Sequence, residues 1–395
     1  MRLDAPWLHE PRTQSVMHAL VASGGRAWFV GGCVRNTILG RPIQDIDIAT
    51  DLQPEAVISK ADAAGLKAVP TGIAHGTVTV VADGKPFEVT TLRRDLETDG
   101  RHAQVAFTSD IVADAQRRDF TMNALYADAT GRVTDPVGGL PDLETRRVRF
   151  VGAPEQRIAE DYLRILRFFR FHAWYGDPKP GLDPPALAAC AAAADGLELL
   201  SRERVSAELT KLLSAPDPAP ALDAMAATGI LERVLPGAST DVLSALVDVE
   251  RAAAVEPRWQ RRISALGSAS EWAEDLCFSK SDRKFLIAIQ SVLEDRLGSA
   301  EAAYRFGPDA ARDGALIAAA RAGKSASKDL EAEILRGARA VFPIKAKDLD
   351  LEGPALGKAL RDLEKRWILS DFRASAAELL AGSGIAGESD SDDAN

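Results

Sequence analysis

The sequence predicts an α+β N-terminal domain with a mixed sheet, followed by a region that is helical throughout. From Ala27 to about residue 135, short apolar runs alternate with Gly, Asp and Pro, as is typical of strands and hairpins. After Phe150 the chain changes to long Ala- and Leu-rich stretches with helical periodicity. A chain of 395 residues is also longer than one hydrophobic core usually grows, so we expect more than one structural unit.

The elements of the first region follow from its apolar pattern. Strands are expected in AWFVGG, DIDIAT, GTVTVVADG, PFEVTTL and NALYADATGRVTD. Helices are expected at residues 12–24, 33–39 and 53–65. A Gly stands between strand-like runs in ADGK and in DATGR, which favours hairpins at both places.

Composition limits the classes of protein that fit. Hydrophobic residues at 46% and charged residues at 27% are typical of a globular chain. No apolar run approaches the ~18 to 20 residues that a membrane span needs, so we expect a cytoplasmic protein without a membrane partner. The cysteines Cys33, Cys190 and Cys277 are far apart and odd in number, which favours neither a disulfide framework nor a zinc site.

The net charge of -10 argues against indiscriminate binding to polyanions, because nonspecific affinity comes from Lys and Arg. A nucleic-acid partner therefore has to meet a local basic patch. Residues 146–170 supply one candidate, although a solvated helix with paired charges has the same composition.

The strongest local signal begins with FVGGCVR. Gly31 and Gly32 form a turn between a strand and a helix, where backbone N–H groups face an anion. Arg35 on the first helical turn can add a charged hydrogen bond to phosphate. A Gly-Gly pair alone is usually a plain turn.

Asp45 and Asp47 follow in DIDIAT. In a strand they face one side, and the intervening isoleucines face the core. Paired carboxylates repel each other unless a cation lies between them, and Mg²⁺ prefers oxygen ligands and leaves positions for phosphate. The alternative is an exposed pair on an edge strand. Glu88 in PFEVTTL is a candidate third catalytic carboxylate, although an ordinary solvent-facing glutamate predicts the same alternation.

The segment RRDFTMNALYAD supplies further polar groups. Arg117 or Arg118 can clamp a triphosphate, and Asp119 and Asn123 can bind a ribose or hold the loop. A helix start with an Asp cap would give a similar pattern.

The segment EDYLRILRFFRF predicts a helix on which Asp161 and Arg164 share a face, continued by Arg167 and Arg170. A carboxylate only accepts hydrogen bonds and a guanidinium only donates them. That pair matches the base edges of cytosine and adenine, and it mismatches those of uracil and guanine. The alternative is an ordinary i,i+3 salt bridge within a helix.

Together these segments resemble the class II tRNA nucleotidyltransferase and bacterial poly(A) polymerase family, within the polymerase β-like superfamily. The resemblance covers about residues 27–213. Its motifs stand at Gly31, Gly32, Arg35, Asp45 and Asp47, at Arg117 to Ala124, at Glu160, Asp161 and Arg164, and at SRERVSAEL. Asn36 departs from the family, which often has Asp there.

The resemblance implies a catalytic head at residues 1–149, a helical neck for nucleobase selection at 150–215, and a tRNA-binding body and tail at 216–381. Residues 382–395 are polar and acidic, and we expect them to be disordered. The implied reaction is template-independent addition of C and A from CTP and ATP to the tRNA 3′ end, with Mg²⁺ on Asp45 and Asp47. Arg167 and Arg170 are implied as further nucleotide contacts, and no DNA partner is expected.

Three alternatives remain open at this stage. A poly(A) polymerase would share every motif and accept ATP only. A catalytically silent nucleotide-binding or RNA-binding protein could keep the fold without the chemistry. A small-molecule nucleotidyltransferase would need no helical half. The choice between whole and partial CCA addition depends on a loop near residues 95–116.

Overall fold

The computed structural model describes residues 1–22, 24–97 and 104–381. It contains two compact units, the first spanning Met1–Thr240 and the second beginning at Asp241. None of the helices within the described ranges is long and apolar enough to cross a membrane. The acidic segment 382–395, predicted to be disordered, lies outside the described residues.

The first unit contains all the strands of the described chain. They are β1 (Ala27–Val30), β2 (Asp47–Thr50), β3 (Lys67–Gly72), β4 (Thr77–Ala82), β5 (Lys85–Thr91), β6 (Arg93–Glu97), β7 (Gln104–Phe107), β8 (Tyr126–Ala127) and β9 (Val133–Thr134). Its helices are α1 (Pro6–His9), α2 (Pro11–Val21), α3 (Gly32–Ile38), α4 (Pro54–Ala63), α5 (Ile111–Gln116), α6 (Gly139–Glu144), α7 (Pro154–Glu160), α8 (Leu163–Tyr175), α9 (Pro184–Ala192), α10 (Arg202–Leu213), α11 (Ala219–Ala227) and α12 (Ile230–Val234).

The main sheet is mixed, as the sequence predicts. Its strand order is β3-β4-β5-β2-β1-β8-β9, and β2 pairs with β5 in parallel while the other neighbours are antiparallel. β6 and β7 form a separate hairpin. The helices predicted at 12–24, 33–39 and 53–65 are confirmed as α2, α3 and α4, and prolines occupy the first turns of α2 and α4, where their missing N–H costs nothing.

The two faces of the sheet have different roles. Phe29, Ile48, Phe87 and Val89 are fully buried, and α2 and α4 contact the sheet strands. The alternate residues of β1 and β2 lie on the opposite face, where Val30 and Ala49 join a core with Tyr126. This second face therefore carries the side chain of Asp47, which directly opposes Val30.

An aromatic cluster joins the end of the sheet region to α8. The Phe120 ring lies 4.9 Å from the rings of both Phe150 and Phe171, and the Phe150 ring lies 5.8 Å from that of Phe168. The predicted boundary at residue 149/150 thus falls inside the first compact unit. The division into head, neck and body stays a prediction about function.

The second unit is helical throughout its described residues. Its helices are α13 (Leu243–Ala252), α14 (Trp259–Leu266), α15 (Ala269–Asp275), α16 (Lys280–Glu294), α17 (Ser299–Phe306), α18 (Pro308–Arg321), α19 (Leu330–Arg339), α20 (Gly353–Leu369) and α21 (Ala376–Ala381). Arg261, which is 2% exposed, lies 2.7 Å from both Glu250 and Asp313, so the buried charges of this unit are paired. Both parts of the predicted fold class, an α+β first region and helices after it, are confirmed.

Candidate active site

The candidate site is built around Asp47, at the first position of the central strand β2. In the parallel pairing with β5, Asp47 stands directly opposite Glu88. Ile46 and Ile48 are 2% and 0% exposed, so the predicted alternation of apolar and acidic residues is confirmed. Asp45 lies before the first strand residue and is exposed, so the strand is two residues shorter than the DIDIAT pattern predicts.

The surroundings of Asp47 disfavour its charged form. Burial, reinforced by the charges of Glu88 and Asp45, raises the pKa of Asp47 to about 6, while Arg118 opposes the shift. The available ligands are hard oxygen donors, which suit a divalent cation such as Mg²⁺. Within the described residues, no three His, Cys, Asp or Glu side chains converge closely enough to form a ready-made metal site.

The turn at Gly31 lies beside Asp47, because Gly31 follows Val30, which pairs with Asp47 in the sheet. Gly31 has φ of 70° and ψ of -122°, a conformation that residues with a Cβ rarely adopt. The amide of Arg35 donates to the Gly31 carbonyl at 3.0 Å, which starts α3. The turn predicted from FVGG is therefore present between β1 and α3.

Arg35 lies in the protein interior beside the glycine turn. It is 7% exposed, and its guanidinium donates to Asn36, to Asn123 and, at 2.7 Å, to the Tyr175 hydroxyl. Its Cζ also lies 4.0 Å from the centre of the Tyr175 ring. These partners hold Arg35 in the protein interior, with Nη2 3.9 Å from the position that a Cβ on Gly32 would occupy, and its contact with a phosphate stays a prediction.

The adjacent arginines of RRDF share one buried carboxylate. Asp114, 1% exposed, accepts from Arg117 Nε at 3.0 Å through Oδ1 and from Arg118 Nη2 at 3.0 Å through Oδ2. The hydroxyl of Tyr126 donates to the same Oδ2 at 2.7 Å. The charges of Arg118 and Arg117, with the Tyr126 hydroxyl, outweigh burial and hold the pKa of Asp114 at about 2.

Asp119 and Asn123 connect this motif to α8. Asp119 accepts from Arg167 Nε at 2.8 Å and from Asn123 Nδ2 at 3.0 Å. Although Asp119 is buried, these donors lower its pKa to about 2. The two residues hold the loop, which is one of the two roles that the sequence predicts for them.

The segment around Asp161 corrects a second prediction. One helix with Asp161 and Arg164 on a shared face was expected, but α7 ends at Glu160, and Asp161 is extended, with φ of -158°. Asp161 accepts instead from Arg204 on α10 at 2.7 Å and from the Leu163 amide at 3.1 Å. Arg164 lies 2.6 Å from Glu160, and Asp161 pairs with Arg204, so the alternative of an i,i+3 salt bridge between Asp161 and Arg164 is not what the structure shows.

Helix α8 carries the remaining predicted cations, Arg167 and Arg170, and faces α10. Arg170 donates to Glu208 at 2.5 Å, and Arg167 lies 3.9 Å from the same carboxylate. Both guanidinium groups also lie over the Phe171 ring. Arg167 and Arg170 therefore face one buried cluster together with Asp119, as their i+3 spacing predicts.

Sequence reasoning missed two participants in this network. Asp114 is absent from the residues that the sequence singles out, and Tyr175 lies at the C-terminus of α8 without any motif around it. Asp114 could have been found, because a carboxylate three and four residues before two arginines is the spacing of helical ion pairs. Nothing in the sequence signals the contact between Arg35 and Tyr175, which are 140 residues apart.

The chain matches two family models and a set of known proteins. Residues 27–149 match the family described as the poly A polymerase head domain, and residues 181–241 match the probable RNA and SrmB-binding site of polymerase A. The CCA tRNA nucleotidyltransferase 1, mitochondrial, of Danio rerio is 32% identical over 377 residues, which cover 89% of this chain and 86% of that protein. The chain belongs to the CCA tRNA nucleotidyltransferase family.

Other members of the family match over different lengths. The Homo sapiens CCA tRNA nucleotidyltransferase 1, mitochondrial, is 41% identical over 217 residues, and this match spans 54% of the chain but only 50% of the human protein. The crystal structure of the Bacillus stearothermophilus CCA-adding enzyme in complex with CTP is 29% identical, with a TM-score of 0.72, and covers 92% of this chain and 94% of its own. CCA tRNA nucleotidyltransferases generally depend on a metal ion.

Proposed function

We propose that this chain adds C and A nucleotides to the 3′ end of tRNA from CTP and ATP. The terminal 3′-hydroxyl attacks the α-phosphate, the new phosphodiester bond forms, and pyrophosphate leaves. The observation that carries the proposal is the alignment of Asp47 with Glu88, beside Arg118 and the Gly31 turn, in a member of this family.

Asp45 and Asp47 are the residues that we propose to hold Mg²⁺. The fit rests on the oxygen donors and on the burial and the repulsion from Glu88 and Asp45 that together raise the pKa of Asp47, since a bound cation would stabilise the charged carboxylate. When bound, the ion lowers the pKa of the attacking hydroxyl and neutralises charge on the triphosphate. Glu88, opposite Asp47, adds a third negative charge and is our candidate for the third catalytic carboxylate.

The phosphate groups are proposed to lie over the Gly31–Gly32 turn. Arg118 Nη1 lies 3.7 Å from the position that a Cβ on Gly31 would occupy, so this arginine reaches the turn. Its guanidinium can donate to phosphate oxygens while its other nitrogens stay on Asp114. Arg35, which is held by Asn123 and Tyr175 with Nη2 close to Gly32, is proposed as a second phosphate contact.

Base selection is proposed to rest on Asp161 and Arg164. A carboxylate has about four acceptor sites, so Asp161 keeps capacity for an amino group beyond its bonds to Arg204 and Leu163. The exocyclic amines of cytosine and adenine satisfy that acceptor, whereas the carbonyls of uracil and guanine leave it unpaired. Because α7 ends before Asp161, the contacts that hold Asp161 and Arg164 differ from those of one continuous helix. Asp161 still accepts hydrogen bonds and Arg164 still donates them.

The deciding experiment offers the full chain tRNAs trimmed by one, two or three nucleotides, with CTP alone, ATP alone or both. The proposal predicts C addition from CTP to the two shorter tRNAs and A addition only after both C residues are present. Failure to add C from CTP would overturn it. Exclusive use of ATP, with long homopolymers, would instead support poly(A) polymerase activity. A cytoplasmic location stays a prediction.

A further inference from the structure

We infer that Asp114, assisted by the hydroxyl of Tyr126, is a positioning residue for nucleotidyl transfer, because it fixes Arg118 with one nitrogen directed at the Gly31 turn. Neither residue contacts the proposed nucleotide site, so the role is to orient the group that does. The inference rests on the proposed function, in which Arg118 binds the triphosphate.

The hydrogen bonds of Arg118 leave one of its nitrogens available for a ligand. Its Nε and Nη2 donate to Asp114 Oδ2 at 3.2 and 3.0 Å, and Nε also donates to the Tyr126 hydroxyl at 3.0 Å. Within residues 1–22, 24–97 and 104–381, Nη1 has no hydrogen-bond partner. One side of the guanidinium is thus anchored, and the other side faces Gly31 at the edge that carries Asp47.

The anchor is rigid because it is buried and shared. Asp114 is 1% exposed and Tyr126 is 0% exposed, and the Tyr126 ring packs in the core with Val30 and Ala49. Asp114 also accepts from Arg117 and from the amide of Arg93, at the first residue of β6. A guanidinium held in one orientation before substrate arrives loses little freedom on binding phosphate.

Two properties separate positioning from simple structural support. Removal of the anchor should weaken binding of CTP and ATP by similar factors, because Arg118 faces the phosphates that both share. It should also have little effect once Arg118 itself is gone, since Asp114 acts through that side chain.

The experiment measures the Kd for CTP and for ATP, and kcat and KM for addition to trimmed tRNA, for Asp114→Asn, Tyr126→Phe, Arg118→Ala and the Asp114→Asn/Arg118→Ala double variant. Asp114→Asn keeps the shape and removes the charge, and Tyr126→Phe removes only the hydroxyl. We expect nucleotide Kd and KM to rise roughly tenfold for Asp114→Asn and a few-fold for Tyr126→Phe. The double variant should match Arg118→Ala within about twofold.

The matched control is Asp183→Asn. Asp183 is 6% exposed and paired with Arg147, which is exposed, so this variant also removes a buried carboxylate charge from an arginine pair. That variant should unfold at lower temperature and keep wild-type nucleotide affinity. Tyr126→Phe serves as the informative variant if Asp114→Asn does not fold.

The outcomes distinguish this inference from the proposed function. If the wild-type chain binds CTP but adds nothing to tRNA, the proposed function fails and the nucleotide Kd values still judge Asp114. If the Asp114→Asn and Arg118→Ala effects multiply, or if Tyr126→Phe and Asp114→Asn bind nucleotide like Asp183→Asn, the positioning role is overturned. Absence of CTP binding by the wild-type chain would overturn both.

Discussion

Asp119 and Arg167 form a hydrogen-bonded ion pair across 48 residues of sequence, with Arg167 Nε 2.8 Å from Asp119 Oδ2. The pair joins the loop after α5 to the middle of α8. Because Asn123 also donates to Asp119 and Arg35 donates to Asn123, the pair connects the Gly31 turn to the helix that carries Arg164. The phosphate-binding and base-selecting parts of the proposed site are therefore physically linked.

Asp119→Ala is expected to destabilise the protein by about 2 kcal/mol, because it removes a buried carboxylate from the half-buried Arg167, whose remaining partner Glu208 lies 3.9 Å away. Urea unfolding followed by circular dichroism measures the change. Asp128→Ala is the control, since Asp128 accepts hydrogen bonds only within its exposed turn. Equal stability of the two variants would show that the Asp119–Arg167 pair contributes nothing.

Substitutions of Asp45 and Asp47 should lower activity without lowering the stability of the protein. Asp45→Asn and Asp47→Asn are each expected to lower kcat for nucleotide addition roughly 10³-fold, since each removes a proposed Mg²⁺ ligand. Asp47→Asn should at the same time stabilise the metal-free protein by about 1 to 3 kcal/mol near pH 8. Its charge is disfavoured in the fold, where its pKa is raised to about 6.

The measurements for this pair are single-turnover addition with Mg²⁺ and thermal unfolding in EDTA. Asp51→Asn is the control, because Asp51 follows the same strand but is paired with Arg26. Intact turnover by Asp45→Asn and Asp47→Asn with Mg²⁺ present would contradict the metal role. A fall in stability of Asp47→Asn would contradict the electrostatic account.

Arg204→Met is expected to relax base discrimination, because Arg204 holds Asp161 at 2.7 Å and methionine keeps only the apolar stem. We expect the preference for CTP over UTP to fall roughly tenfold, because the half-buried carboxylate of Asp161 is then no longer held where it pairs with the cytosine amine and rejects the uracil carbonyl. Primer extension with each nucleotide alone gives the ratio. Arg202→Met, at an exposed position two residues earlier on α10, should leave that ratio unchanged.

The predicted and observed structures agree where a local pattern determines the outcome. Alternation of acidic and apolar residues placed Ile46 and Ile48 in the core and Asp47 on the opposite face. A pair of glycines between a strand and a helix located the turn, because only Gly readily takes the φ of 70° observed at Gly31. The alternation follows from the two-residue period of a strand, and the turn follows from the backbone preference of a single glycine.

The prediction failed where long-range partners decide the structure. EDYLR contains no Gly or Pro, so its helical periodicity concealed the break at Asp161. The carboxylate of Asp161 bonds the Leu163 amide, a use of Asp at helix starts that sequence alone could have suggested. Its ion pair with Arg204, and the burial of Arg35 against Tyr175, depend on tertiary contacts that no local pattern encodes.

His172 gives a prediction for the pH dependence of stability. It is 5% exposed in α8, and burial lowers its pKa from 6.5 to about 4 despite the opposing charge of Asp177. The unfolded chain therefore takes up a proton at His172 near pH 6.5, whereas the folded chain does so only near pH 4. Stability from this group is fully present above pH 6.5 and is lost as the pH falls toward 4, by about 3 kcal/mol at most.

The test compares urea unfolding of the wild type and His172→Leu between pH 7 and 4.5. Leucine cannot take up a proton, so the variant should lose less stability than the wild type over this interval. His75→Leu, at an exposed position, is the matched control and should leave the slope unchanged. Parallel slopes for the wild type and His172→Leu would show that burial does not hold His172 neutral in the folded protein.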